Sequence, residues 1–394
     1  MKALFQTRTS IFSVPGGDTV QILKTADGLR ALGCEVDIST DLEPDLAGYD
    51  IVHLFNLTRP QELYMQAANA RRQDRKIALS PIYASYDEFE RQARGGIYGA
   101  LARTLKPGHI AYAKVLARAI LNRELNKGTL ITLIKGYSAL QREIVKMSDV
   151  LLPNSESEMR RIQWDIDLCG TKEYVVVPNA VDLKAFNDRP EAMPSSTEDF
   201  QDCILCVARI EGIKNQINLV RAMRGLPWKL LLIGRPAPNH MGYLERVKRE
   251  AGPNVRFLGS VEHNDLPRYY RAAKVHALVS WMETTGLSSL EAGAMGCNLV
   301  ITDRGDTREY FQDDAFYCEP GSVGSIREAL IRAHGAPVRT GLRERIEEHY
   351  TWERAAERTF SAYRRVLEGI YEHDQRGDRP GADGDGKVPR QRAA

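Results

Sequence analysis

Two glutamates, Glu283 and Glu291, lie in the stretch ETTGLSSLE with seven residues between them. In one continuous helix their Cα atoms would stand about 12 Å apart and point about 80° away from each other. A helix that starts within GLSSLE removes this objection, because Ser288 followed by Glu291 three residues later fits a capping box. We therefore expect Glu283 in the preceding loop and Glu291 in the first helical turn, facing one pocket.

This pocket combines acceptors with donors. Carboxylates accept hydrogen bonds from hydroxyl pairs, whereas the backbone amides around Thr285, Gly286 and Leu287 offer donors to sugar hydroxyls or phosphate. A capping box by itself is only a structural feature of a helix start. The two carboxylates together with the amides favour a nucleotide sugar as the ligand.

Two cations, Arg209 and Lys214, follow the strand-like run CILCVARI. In an open α/β sheet, ligands bind outside the carboxyl ends of the strands, so both side chains are placed to meet a phosphorylated ligand. Arg209 would contact two oxygens at once, and Lys214 would add a point charge. Either residue alone would be read as a solvated loop charge, but the pair favours a phosphate site.

Near the amino terminus, Gly16 and Gly17 separate the opening strand from an amphipathic helix. Glycines allow the backbone to approach a ligand, and a helix start offers free N–H groups and the positive end of the dipole. The spacing is not G-x-G-x-x-G, which disfavours a dinucleotide site. A tight strand-to-helix turn explains the same residues equally well.

The elements that position these residues are strands alternating with helices, a pattern typical of parallel α/β sheets. We predict strands in the first half at MKALFQT, EVDIS, DIVHLF, KIALS, VLLPN and YVVVPN, and in the second half at CILCVARI, KLLLIG, VRFLGS, VHALVS, NLVIT and AFYCE. Two Rossmann-like domains that face a central cleft are therefore expected. In them, both glutamates and both cations belong to the second domain.

The domain boundaries follow from composition. Residues 187–202, which contain two prolines and several acids, predict a linker between a first domain at 1–188 and a second at 200–350. Residues 351–373 carry the apolar face of one helix, which we expect to pack back on the first domain. The remaining residues, 374–394, are rich in glycine, proline and charge and predict disorder.

Bulk composition excludes several classes of protein. The chain has 394 residues, 43% of them hydrophobic and 27% charged, and its opening residues run straight into a strand, so we expect a cytoplasmic protein without a membrane span. Cys203 and Cys206 lack a second pair or a histidine cluster and are interpreted as core thiols. Asp165 and Asp167 in WDID lie outside the expected cleft, so no metal site is predicted.

Together these motifs resemble the family 4 retaining glycosyltransferases of GT-B architecture, a group 1 type of glycosyl transferase. The resemblance covers residues 1–373 and rests on E-x7-E at 283–291, the upstream Arg209 and Lys214, the glycine turn, PNSESE, PNAVD and TDRGDTREYF. It implies a metal-independent transferase for a UDP- or GDP-linked sugar, in surface polysaccharide or glycoconjugate synthesis. No cofactor and no nucleic-acid partner are implied.

By this resemblance Glu291 binds the nucleotide ribose, Glu283 contacts the donor sugar, and Arg209 and Lys214 neutralise the diphosphate. The Gly16–Gly17 backbone then approaches the phosphates from the opposite domain, and backbone groups around Phe257 and Leu258 read the base. The sequence departs from the family where many relatives have a first-domain histidine. There it reads LSPIYASYDEFER, with Tyr83 near the expected position and Asp87 and Glu88 as further candidates. His53 is a possible substitute, although a packed strand histidine is the simpler interpretation.

One segment is locally basic, since residues 91–148 hold eleven Lys or Arg against Glu124 and Glu143. A helix there, with Tyr112 and Leu116 beside Lys114 and Arg118, fits peripheral binding to an anionic membrane. It equally fits a helix packed on the sheet with solvated charges. Membrane binding would point to a lipid-linked glycan as acceptor, whereas a charged soluble acceptor would attract the same residues.

Two other functions share these features. A nucleotide-sugar 2-epimerase has the same architecture and diphosphate site but needs acid and base groups at the sugar ring, and a non-catalytic sugar-nucleotide binder would neither transfer nor hydrolyse. A glycosidase would need two carboxyl groups about 5 to 9.5 Å apart and would have no use for the paired cations.

Overall fold

The computed structural model describes residues 1–93, 127–168, 172–186, 200–237 and 240–369. It contains two parallel sheets, a five-stranded sheet of order β2-β1-β3-β4-β5 and a six-stranded sheet of order β11-β10-β9-β6-β7-β8. Helices connect the successive strands in both halves except at residues 40–50, where a loop alone joins two strands of the first sheet. The predicted α/β class and the two Rossmann-like sheets are confirmed.

The first sheet and its helices have the following bounds: β1 Lys2–Gln6, α1 Gly17–Ala31, β2 Glu35–Ser39, β3 Ile51–Phe55, α2 Pro60–Arg72, β4 Lys76–Ser80, α3 Asp87–Gln92, α4 Lys127–Lys135, α5 Tyr137–Met147, β5 Val150–Leu151 and α6 Glu156–Ile166.

The second sheet and the elements that follow it have these bounds: β6 Cys203–Val207, α7 Gln216–Ala222, β7 Leu230–Ile233, α8 Met241–Glu250, β8 Val255–Gly259, α9 Leu266–Ala272, β9 Ala273–Leu278, α10 Leu287–Ala294, β10 Asn298–Thr302, α11 Thr307–Phe311, β11 Ala315–Cys318, α12 Val323–Gly335, α13 Thr340–His349 and α14 Trp352–Glu368.

The central strands are continuous apolar runs because helices cover both faces of each sheet. Every residue of β3 and of β10 is buried. The apolar residues form two clusters per sheet, one on each face. This layering leaves the carboxyl ends of the strands, and the loops that follow them, free to form a site.

Helix α14 lies against α1 of the first sheet. A Cβ placed on Gly28 would stand 2.6 Å from the Cβ of Ala356, so glycine is required for this close approach. Trp352, Tyr363 and Val366 of α14 join the apolar cluster of the first sheet. The chain therefore returns to its first half after completing the second sheet.

One predicted strand is wrong. YVVVPN forms no strand in the structure, and Tyr174 makes only a single bridge to Leu151 at the short edge strand β5. Beyond it, Val177 donates its N–H to the carbonyl of Pro153, and the chain then leaves the sheet towards the second half. The predicted basic helix around residues 112–119, most of the linker and the tail lie outside the described residues.

Candidate active site

Glu283 lies in the loop after β9, as expected, and is held by its neighbours on two sides. Its Oε1 is 2.5 Å from Nζ of Lys214 and accepts a 2.6 Å hydrogen bond from the Ser280 hydroxyl. Its carbonyl accepts from the N–H of Asp306, beside Gly305, whose φ of 80° brings the two loops together. Glu283 is only 8% exposed, so its carboxylate has a defined position.

The two cations follow β6, and the structure pairs each of them with a carboxylate. Arg209 lies 3.0 Å from Glu211 with 46% of its side chain exposed, whereas Lys214, in the 3-10 turn Gly212–Lys214, is 20% exposed. Asn215 fixes this turn, because its amide donates to the carbonyls of Val279 and Pro320. Sequence reasoning missed Glu211, which carries no spacing signal of its own.

The helix start after Glu283 differs from the prediction. Helix α10 begins after Gly286, whose φ is 79°, and the carbonyl of Gly286 accepts from the N–H groups of Ser289 and Leu290. No side chain caps this start, so the predicted capping box of Ser288 and Glu291 is wrong. The left-handed glycine turns the chain into the helix without a side-chain cap, and Glu291 lies in the second helical turn rather than the first.

Glu291 nevertheless has a fixed carboxylate at the cleft. Its Oε1 is 2.9 Å from Nε2 of His263, and its Oε2 accepts a 2.8 Å hydrogen bond from the Tyr270 hydroxyl. The hydrogen bond and the charge of Glu291 raise the pKa of His263, although partial burial opposes them. His263 and Tyr270 were not predicted from the sequence, because neither belongs to a recognisable motif.

The glycine turn of the first domain meets the start of α10. A Cβ placed on Gly17 would lie 3.6 Å from Cδ1 of Leu287, so the first turns of α1 and α10 face each other across the cleft. Arg8, which is only 7% exposed, shapes the loop before α1 through bonds to Asp18 and to the carbonyl of Val14. The two helix starts are therefore neighbours, and a helix start leaves N–H groups without intrahelical partners.

Thr285 is tied to the segment that crosses between the sheets. Its hydroxyl accepts a 3.1 Å hydrogen bond from the amide of Asn179, within PNAVD. The Tyr310 hydroxyl in turn accepts from the N–H of Asn179 and donates to the carbonyl of Asn154. These contacts keep the α10 start aligned with the first domain.

Further ion pairs join the two halves at the TDRGDTREYF stretch. Arg304 pairs with Glu88 at 2.7 Å, and Arg161 pairs with Asp306 at 2.5 Å. The carboxylate of Glu309 accepts from the first N–H groups of α6, at 2.8 and 2.9 Å. The sequence motif thus forms contacts between the domains.

The structure shows the surroundings of His53 and Tyr83, which were considered in place of the family's first-domain histidine. His53 is buried between the Ser80 and Tyr363 hydroxyls, and burial lowers its pKa to about 3, so it is a packed strand histidine. Tyr83 donates its N–H to Glu158 and its hydroxyl to Asp165. Tyr86, three residues further along the chain, is 42% exposed.

The remaining predicted groups have these positions. Phe257 and Leu258 lie in β8, the edge strand of the second sheet, and pack into apolar clusters on opposite faces of that sheet. Cys203 and Cys206 are buried free thiols in β6. Over the described ranges, no three His, Cys, Asp or Glu side chains converge as a metal site, and no helix has the length and apolar character needed to cross a membrane.

Comparisons with known proteins show which families this chain is similar to. Residues 188–349 match the family model described as Glycosyl transferases group 1. The chain is 28% identical over 263 residues to a D-inositol 3-phosphate glycosyltransferase of Kineococcus radiotolerans, covering 58% of this chain and 60% of that protein. It is 26% identical over 251 residues to a GDP-mannose-dependent monoacylated alpha-(1-6)-phosphatidylinositol monomannoside mannosyltransferase of Corynebacterium glutamicum, covering 58% and 65%. The alignments thus span less than two thirds of these relatives.

Solved structures show the same fold over nearly the whole chain. A sucrose-phosphate synthase from Thermosynechococcus elongatus has a TM-score of 0.69 at 16% identity and covers 94% of this chain and 100% of its own. HepE of Anabaena, solved in complex with UDP and glucose, has a TM-score of 0.66 at 14% identity and covers 92% and 99%. The predicted GT-B architecture is confirmed.

Proposed function

We propose that this protein, whose residues 188–349 match the group 1 glycosyl transferases, transfers a sugar from a nucleotide-diphosphate sugar to a hydroxyl group. The observation that carries the proposal is the pairing of Arg209 and Lys214 with carboxylates beside the start of α10. These groups lie at the carboxyl ends of parallel strands, where α/β sheets bind their ligands. The donor is a UDP- or GDP-linked sugar.

The arrangement fits the charge that develops in the reaction. As the bond between sugar and diphosphate breaks, negative charge accumulates on the phosphate oxygens, and the sugar becomes oxocarbenium-like. Preorganised cations and helix N–H groups stabilise such charge, and one donor is worth about 3 kcal/mol. Arg209, Lys214 and the starts of α1 and α10 supply these groups, so the proposed transferase needs no metal ion.

The carboxylates act on hydroxyl groups in this proposal. Glu291 keeps acceptor capacity on both oxygens beyond its bonds to His263 and Tyr270, and it binds the ribose. Glu283 holds Lys214 in place and contacts the donor sugar. Since Glu283 is engaged by Lys214 and Ser280, we propose that it is not a nucleophile. In the proposed transfer with retention, the acceptor hydroxyl attacks the anomeric carbon from the face that the diphosphate leaves. The bond from that carbon to the phosphate oxygen breaks, and the leaving phosphate takes the hydroxyl proton.

The proposed acceptor is a glycan or lipid-linked glycan, in surface polysaccharide or glycoconjugate synthesis. We place the protein in the cytoplasm, peripheral to an anionic membrane through residues 91–148. The excess of positive charge in this segment supports the proposal, as do Leu130 and Ile134 of α4, whose exposed fractions are 60% and 77%. Flotation with anionic vesicles tests it: binding at low salt that is lost at high salt is expected, and no binding at low salt would remove it.

A donor screen tests the proposed function. UDP- and GDP-sugars are incubated with glycan and lipid-linked acceptors, and released nucleotide is measured in the presence and absence of EDTA. We expect acceptor-dependent release that EDTA leaves unchanged, and an NMR coupling constant that shows the donor's anomeric configuration kept in the product. Epimer formation without acceptor would instead identify a 2-epimerase. Tight nucleotide binding with neither transfer nor slow hydrolysis would identify a non-catalytic binder.

A further inference from the structure

The carboxylate of Glu291 is held by two side chains that come from separate elements. His263 belongs to the 3-10 turn His263–Asp265 after β8, and Tyr270 belongs to α9. Each partner takes one carboxylate oxygen, at 2.9 and 2.8 Å. The plane of the carboxylate is therefore set by both contacts, and losing either would free it to rotate.

The two partners differ in their access to the cleft. Tyr270 is fully buried, whereas 47% of the His263 side chain and 13% of the Glu291 side chain are exposed. The His263 ring also meets the edge of Phe186, at 5.1 Å between ring centroids, and Phe186 is 1% exposed. His263 thus has a defined orientation at the border of the cleft, while Tyr270 lies behind Glu291.

The charges around His263 come from three elements. Glu291 faces it from α10, and Lys24 of α1 and Asp182, which form a 2.8 Å ion pair with each other, act on it more weakly. Because Lys24 and Asp182 neutralise each other, Glu291 is the dominant partner of the imidazole. The hydrogen of Nε2 then points at Oε1 whether the ring is neutral or protonated.

We propose that His263 is a positioning residue that orients Glu291 towards the two ribose hydroxyls of the donor nucleotide and so determines the preference for ribose. This rests on the proposed function, in which Glu291 binds the ribose. An ionised carboxylate has about four acceptor sites, so the bonds from His263 and Tyr270 leave two for a pair of adjacent hydroxyls. A rotated carboxylate would bind only one of them well.

The test measures the affinities of UDP and GDP by calorimetry, and then those of the 2′-deoxy form of whichever nucleotide binds. In His263→Ala we expect the ribonucleotide to bind about fivefold more weakly, as for the loss of one hydrogen bond, and the deoxynucleotide to be affected by less than about twofold. His263→Gln keeps an N–H donor and should retain most of the ribose preference. His334→Ala, which removes a histidine stacked on Trp228 in the same domain, serves as the control.

Kinetic measurements separate a positioning role of His263 from a general loss of structure in the variant. Ribose binding is the same in the ground state and the transition state, so His263→Ala should raise the donor KM and leave kcat within about twofold. Equal weakening of ribonucleotide and deoxynucleotide, or no change in either, would overturn the role of His263. If the unaltered protein binds neither UDP nor GDP, the proposed function itself fails.

Discussion

The carboxyl ends of the strands in the two sheets face the same cleft, and we call them the first edge and the second edge. Their charged groups differ in exposure to solvent. At the first sheet, Arg8 and Asp18 pair with 7% and 12% of their side chains exposed, and Glu158 is fully buried. At the second sheet, 46% of the Arg209 side chain and 20% of the Lys214 side chain reach solvent. At the first edge protein covers these groups, whereas at the second edge the two cations keep contact with solvent.

This difference assigns separate tasks to the two domains. A buried pair has already exchanged water for protein partners, and a ligand gains little from it. An accessible cation can turn part of its hydrogen-bonding capacity towards an incoming anion. In the proposed function, the second domain therefore supplies the positive charge for the diphosphate, and the first domain supplies the backbone at Gly16 and Gly17.

The largest expected effect comes from Lys214→Met, which should lower kcat by about 100-fold or more. The substitution removes the cation nearest to Glu283 and leaves that carboxylate, 8% exposed, without its partner. Initial rates at saturating donor measure the loss. Lys248→Met is the matched control, since Lys248 forms an exposed pair with Glu245 on α8.

A double variant separates the effect of Lys214→Met on catalysis from its effect on stability. Lys214→Met combined with Glu283→Gln removes the unpaired carboxylate and should recover thermal stability, while turnover stays low. Recovery of turnover in the double variant would mean that Lys214 acts only by neutralising Glu283. The second edge would then resemble the first.

A smaller loss of turnover is expected for Arg209→Met, about tenfold or somewhat more. Arg209 is more exposed than Lys214, so water screens its contribution to a greater degree. The measurement is kcat with saturating donor and acceptor, and Arg224→Met provides an exposed arginine of the same domain as control. Unchanged kinetics for the Arg209 variant would contradict the electrostatic role of the second edge.

Periodicity and strand composition predicted most of the fold, because buried parallel strands have continuous apolar sequences. The order of elements, both sheets and the positions of eleven strands follow from such runs. YVVVPN misled the prediction because its apolar residues contact the core from an extended loop beside β5. Apolar content indicates only that a segment is buried. Whether the segment pairs as a strand depends on its neighbour, and here the neighbour β5 ends after two residues.

The candidate site was predictable where a motif carries it and unpredictable where distant segments meet. Spacing identified Glu283, Glu291, Arg209 and Lys214, but it gave no hint that Lys214 pairs with Glu283 or that His263 contacts Glu291. Such contacts depend on loop conformations after different strands. The start of α10 was mispredicted for a similar reason, since the left-handed conformation of Gly286 begins the helix where a side-chain cap was predicted.

A few-fold effect is expected from Gly17→Ala, and it should appear in the donor KM alone. The added Cβ would lie 3.6 Å from Leu287, an ordinary contact, so stability should change by less than about 1 kcal/mol. A methyl group at the start of α1 would nevertheless keep a phosphate away from the backbone. Gly28→Ala is the opposite control, because its Cβ would clash with Ala356 and lower stability without touching the cleft. An unchanged donor KM for Gly17→Ala would remove the glycine turn from the donor site.

The smallest expected effect on turnover belongs to Glu158, a fully buried carboxyl of the first edge. Burial first, and then the charge of Asp306, raise its pKa to about 8, although N–H groups of Tyr83 and Asn154 oppose the shift. Between the carboxyl's ordinary value of 4.5 and about 8 the folded protein binds more protons than the unfolded chain, so stability is lost as pH rises through this window.

Thermal unfolding of the unaltered protein and of Glu158→Gln between pH 5 and pH 9 tests this expectation. The variant should show a flatter decline of the unfolding midpoint with pH, with kcat unchanged because Glu158 is sealed from the cleft. Glu245→Gln, on the surface of α8, should keep the original slope. An identical slope in the Glu158 variant would show that the Glu158 carboxyl of the unaltered protein stays ionised in the fold. A changed kcat would show that the first edge also affects the electrostatics of the cleft.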